Sequence, residues 1–213
     1  MRRNIILFAL LIVIVTVSQF IIAKKQLELG FFTDDWLFLS SYRLYVSNPI
    51  LDLLGAWKSI GSHNFAHAYY IGILHNFFGL DYFAYRLTNE ILKIVSAFSV
   101  YPLVLFIFKR RLIAFLATLI YGIHFSTFGL LDGPSRGEDF IAIIFMNLFI
   151  IYYLYSLKKN LSARLLILLS IFLSLVVFID ATRLFPLLGV VFLVEVLYLV
   201  RNIFHHRAII SLK

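Results

Sequence analysis

Polar residues interrupt this chain only at intervals, and between them stand six apolar runs: near Asn4 to Ala23, Phe83 to Phe108, Leu112 to Phe128, Phe140 to Leu157, Leu165 to Ile179 and Leu184 to Val200. A helix crosses the hydrocarbon of a bilayer with roughly 20 apolar residues, about 17 at the lower end, and the six runs come close to that. The pattern predicts an all-α integral membrane fold, a single module over residues 1–213 with about six transmembrane helices. The gap after the first run is much longer than the others. From Lys24 to about Tyr82 it carries Trp36, Trp57, many Phe and Tyr and few breakers, which predicts a loop folded against the membrane surface. Within it, Thr33 to Ser47 reads as a short helix, with Thr33 as N-cap and Asn48-Pro49 ending it. Ala66 to Phe78 reads as an interfacial helix with its aromatics at headgroup depth, or as a hairpin dipping into the bilayer. At about 13 residues it is too short to cross.

Charge orients the picture. If every run crosses once, Arg2/Arg3, Lys109/Arg110/Arg111, Lys158/Lys159/Arg164 and Arg201/Arg207/Lys213 all fall on one side, which by the positive-inside rule is the cytoplasm. Both termini are then expected there, in the plasma or inner membrane. Glu28, Asp34, Asp35, Asp52, Asp81, Asp132, Glu138, Asp139 and Asp180 land on the outer side, and only Glu90 and Glu195 lie within runs.

Composition agrees with a bilayer: 62% of residues are hydrophobic and 14% charged, against roughly a quarter charged in a soluble domain. The net charge of +8 lies in clusters between apolar runs, which excludes a nucleic-acid face. No cysteine is present, so disulfides and thiolate metal sites are excluded. Met1-Arg2-Arg3 resembles the start of a signal peptide, yet the run after it has spanning length and ends in Lys24-Lys25 without a small-residue cleavage site, so a retained anchor is expected.

The candidate chemistry lies outside. Asp34 and Asp35 sit in an aromatic frame, Phe31-Phe32-Thr33-Asp34-Asp35-Trp36. Acids in a helix's first turn are favoured by its dipole, and capping alone accounts for them. Two adjacent carboxylates at a partly dry interface also suit a general base for a hydroxyl. Arg136, Glu138 and Asp139 in the second outer loop open a helix, where capping and function are equally good explanations. Arg183 stands between the fifth and sixth runs, suited to gripping phosphate or to pairing with Asp180. His63 and His67, four apart, share a helix face and would need a third ligand to hold a metal. Arg86, Glu90 and Lys93 are spaced to pair with one another.

Thr33-Asp34-Asp35-Trp36-Leu37-Phe38-Leu39, following an apolar anchor, resembles the start of the GT-C membrane glycosyltransferases, which include protein O-mannosyltransferases and bacterial lipid A aminoarabinose transferases. Phe78-Gly79-Leu80-Asp81-Tyr82 through Asn89-Glu90-Ile91-Leu92 is similar to their entry into the second span, although Lys93 stands where that pattern carries a His and no Arg-Pro-Leu precedes Phe78. The resemblance implies a transferase taking sugar from a polyprenyl-phosphate donor to a lipid, glycan or protein acceptor in the cell envelope. It further implies Asp34 as base, Asp35 as supporting acid, Glu138 and Asp139 as the second acidic site supporting the acceptor or a metal, and Arg136 and Arg183 on the donor phosphate. Some such enzymes use a divalent metal and lipid-monophosphate users commonly do not, so metal dependence stays open. They usually continue through further spans, which makes this chain an N-terminal module, inactive if truncated. Two alternatives remain: a small transporter or flippase for lipid-linked substrates, and a non-catalytic membrane subunit.

Overall fold

The computed structural model describes residues 2–24, 27, 30–31, 33–61, 65–124, 133–156, 163–179, 187–194 and 196. Its elements are helices: α1 (Arg2–Ala23), α2 (Thr33–Tyr45), α3 (Leu53–Ile60), α4 (Phe65–Phe78), α5 (Tyr82–Phe108), α6 (Arg111–Ile123), α7 (Gly137–Ser156) and α8 (Ala163–Ile179), with a 3-10 turn at Pro134–Arg136. No strand occurs among the described residues. Among the described residues two helices, α5 with 27 residues and α7 with 20, are long and apolar enough to cross a membrane. Shorter apolar stretches lie at Ala9–Ile21, Arg111–Ile123 and Ile167–Val176. Five of the six apolar runs thus become helices, α1, α5, α6, α7 and α8, and two of these meet the spanning requirement in full; the sixth run, Leu184 to Val200, and the end of the third lie partly outside the described residues.

Helix α5 organises the bundle. Asp81 caps its start by accepting from the Phe83 N–H at 3.1 Å, and Lys109, in the left-handed region at φ 55°, ends it with an N–H bond to the Leu105 carbonyl. Arg110 completes a two-residue link into α6, so α5 and α6 form a tight antiparallel pair. On the other side α5 packs along α7, which in turn packs on α8, while α1 lies against α6 and α5. Close approach needs small side chains where helices gain little from apolar burial alone. At the α1 seam Val15 meets Ala97 and Gly122, and a Cβ on Gly122 would stand 3.0 Å from Val15 Cγ1.

Hydroxyls inside these helices bond to their own backbone, Thr88 to Ala84, Ser99 to Ser96 and Thr118 to Ala114, which satisfies them without water. Asn147 Nδ2 donates to Ser99 Oγ at 2.8 Å and ties α7 to α5. Outward, Val13, Val17 and Ile21 of α1 and Ile91, Val95 and Ile107 of α5 are exposed, an apolar surface that suits lipid contact.

Helices α2 to α4 form a cap on the end of the bundle where α5 and α7 begin. Its core includes Phe38, Leu39, Tyr42, Phe65, Ile71 and Leu74 and closes over Tyr85 of α5. Gly72 admits the ring of Tyr42, so α2 and α4 approach closely. Between α2 and α3, the Asp52 carboxylate accepts from Ser47 Oγ at 2.6 Å and from the N–H groups of Asn48 and Ser47. Those bonds, the Ser47 hydroxyl first, hold its carboxyl below the usual carboxylate range. The two short helices expected in this loop are present as α2 and α4, and α3 is an addition to them.

Candidate functional site

The site is the junction between cap and bundle, and it is built from the first turns of α2 and α7. Asp34 and Asp35 occupy the first turn of α2, at its positive end. They point differently: Asp34 is exposed, whereas Asp35 is 1% exposed. The reason is helical phase, because Asp35 continues the stripe Phe38, Leu39, Tyr42 and Val46 that forms the cap's inner face. Phe31 locks the approach to α2, its ring 5.3 Å from Trp36 and edge-on to Tyr85 at 5.0 Å. Just before it, the Gly30 carbonyl accepts from Arg86 Nη2 at 2.9 Å.

Two side chains set where α7 begins. Tyr70 Oη donates to Asn89 Oδ1 at 2.6 Å, and Asn89 Nδ2 donates to the carbonyls of Gly133 and Pro134 at 3.2 and 3.3 Å. Burial pushes the Tyr70 phenol well above its usual value, so it remains a donor. Gly137 sits against both, and a Cβ there would overlap Tyr70 Oη and Asn89 Oδ1. The 3-10 turn at Pro134–Arg136 is thereby pinned between α4, α5 and α7 and touches α2.

On this frame Arg136, Glu138 and Asp139 come together with a histidine from the cap. His67 Nδ1 faces Glu138 Oε1 in direct contact, and Arg136 Nη1 lies 3.5 Å from His67 Nε2. The ring of Phe38 covers His67 at 5.0 Å, bringing α2 onto the same group. Glu138 and Asp139 are both 4% exposed, and Arg136 is half-buried. Apart from His67, the Glu138 carboxyl has no hydrogen-bond partner among the described residues. Deeper along α5, Glu90 and Lys93 are enclosed and attract each other one turn apart.

No family model, curated protein or solved structure matches this chain. What the site can do therefore rests on its own geometry. Helix α2, with acids in its first turn, touches the turn that carries Arg136 and opens α7, and Phe38 packs on His67, so carboxylates and an arginine lie on elements that meet at one junction, able to accept a proton and to hold an anion. Among the described residues no three His, Asp or Glu side chains gather as ligands for a metal ion. Arg183, Asp180, Asp132, Glu195 and His63 lie outside the described residues.

His67 was singled out in sequence only as half of a metal pair with His63, and its place between Glu138 and Arg136 was not anticipated. One signal was present. His67 and Tyr70 are three apart in the first half of α4 and share a face among apolar neighbours, which marks that face as one turned toward polar groups.

Proposed function

We propose that the chain is a multi-pass glycosyltransferase of the GT-C type in the plasma membrane, with both termini cytoplasmic and the cap outside, moving a sugar from a polyprenyl phosphate to an acceptor hydroxyl. The observation that supports this best is the packing of α2 on the turn that carries Arg136 and opens α7, both helices having acids in their first turns. In this reading the acceptor oxygen bonds to the anomeric carbon while its proton passes to Asp34, the exposed acid. The bond from that carbon to the phosphate oxygen breaks with inversion, and polyprenyl phosphate departs with the electron pair. Arg136, joined by Arg183, takes up the charge that grows on the phosphate. Asp35 orients the acceptor from the buried side.

The test is transfer of radiolabelled hexose or pentose from a polyprenyl phosphate by the full chain in nanodiscs. Asp34→Asn is expected to lower transfer about 10²- to 10⁴-fold, the usual worth of a general base, with helix content unchanged by circular dichroism. Undiminished transfer removes Asp34 from the role, and failure of the unaltered chain with every donor removes the enzyme.

One feature favours a transporter of lipid-linked substrates instead: the enclosed Glu90–Lys93 pair in α5. That reading predicts movement of a fluorescent lipid across vesicles without sugar transfer, abolished by Glu90→Gln.

A further inference from the structure

We propose that His67 is a positioning residue that fixes the guanidinium of Arg136 through a single imidazole tautomer, one set by Glu138. The role as donor-phosphate holder assigned to Arg136 rests on the function proposed above; the histidine link itself rests on geometry. Arginine has no acceptor and stays charged, so where Arg136 Nη1 meets His67 Nε2 at 3.5 Å the ring nitrogen must be the acceptor. A neutral imidazole carries its one ring proton on the other nitrogen. That nitrogen, Nδ1, faces Glu138 Oε1, which accepts it.

Each half of the chain requires the other. With the ring proton on Nε2, two donors would face each other at Arg136 and two acceptors at Glu138. The groups facing His67 include Glu138 from α7, Arg136 from the turn before it and the ring of Phe38 from α2. The histidine side chain is 14% exposed, so water competes little for either nitrogen. Glu138 therefore acts at one remove: its charge selects the tautomer, the tautomer offers a lone pair to Nη1, and the rest of the guanidinium fork can face two phosphate oxygens. Because His67 belongs to α4, the same link registers the cap on α7.

Two measurements decide the proposal. The first is the ¹⁵N spectrum of histidine-labelled full chain in nanodiscs, with the His67 signals identified by their disappearance in His67→Asn. A protonated Nδ1 and a bare Nε2 are expected, and a proton on Nε2, alone or together with one on Nδ1, overturns the link. The second is binding of undecaprenyl phosphate to the unaltered chain, His67→Gln and His67→Asn. A glutamine carbonyl can take the place of Nε2 as acceptor for Arg136, whereas an asparagine amide reaches only the Nδ1 position. His67→Gln is expected to stay within ~3-fold of the unaltered affinity and His67→Asn to fall about tenfold, the worth of one charge-assisted hydrogen bond. Equal affinity in all three, or an equal fall in both variants, overturns the positioning role. If the unaltered chain takes up no undecaprenyl phosphate, the donor assignment fails, and the ring spectrum alone decides the link.

Discussion

Asn89 shows how much one buried amide can hold. Both ends are in use, taking the Tyr70 hydroxyl and reaching two carbonyls of the turn before α7. Asn89→Ala leaves a buried hydroxyl and the turn's carbonyls unpaired, so a loss of about 2–3 kcal/mol is expected in chemical unfolding of the micellar protein. Tyr70→Phe, which removes only the hydroxyl, is expected to cost about 1 kcal/mol. A second residue makes stability depend on pH. His75 Nε2 accepts from Arg43 Nη2 at 3.0 Å, and burial, aided by the Arg43 charge, holds its imidazole below the usual 6.5. The unfolded chain then binds a proton more readily than the folded one. The α2–α4 contact is expected to keep its full strength above about pH 6.5 and to weaken as pH falls below that value. Thermal midpoints at pH 7.5 and 5.5 check this, and His75→Gln should flatten the difference.

Among helices, the tightest fit is where α7 meets α4 and α5. A methyl on Gly137 would overlap both Tyr70 and Asn89, so Gly137→Ala is expected to cost about 1–3 kcal/mol by overpacking and to reduce transfer by moving Arg136 and Glu138, which flank it. Gly30→Ala, with nothing near its Cβ, is the matched control. Much of this level could be read from sequence. Length and apolarity gave α1, α5, α7 and α8 to within a few residues, and the aromatic loop gave α2 and α4. Even the inward turn of Asp35 was there to read, since residues 35, 38, 39, 42 and 46 follow one helical stripe. The pairing of His67 with Glu138 was not. Its partners stand 71 positions apart, and no local periodicity encodes which turn meets which helix of the cap.

At the scale of the molecule, the open question is which helices cross. Among the described residues α5 and α7 satisfy length and apolarity together, whereas the charge pattern asks for six crossings. The absence of cysteine makes the chain its own background for labelling. With both termini cytoplasmic, a cysteine replacing exposed Asp34 is expected to react with a membrane-impermeant maleimide added to intact cells, and one replacing Lys109 only after lysis. Reaction of both from outside, or of neither, ends the six-crossing arrangement.

The link between cap and bundle also has a direction in time. During synthesis His67 is made 69 residues before Arg136, and so before Glu138 exists. The newborn cap must therefore wait beside the membrane with its histidine unclaimed, and any chaperone or lipid that shields it has to let go when α7 arrives. Assembly of the junction is thus a late, single event, and nascent chains halted before Gly137 should carry a cap that proteases still cut.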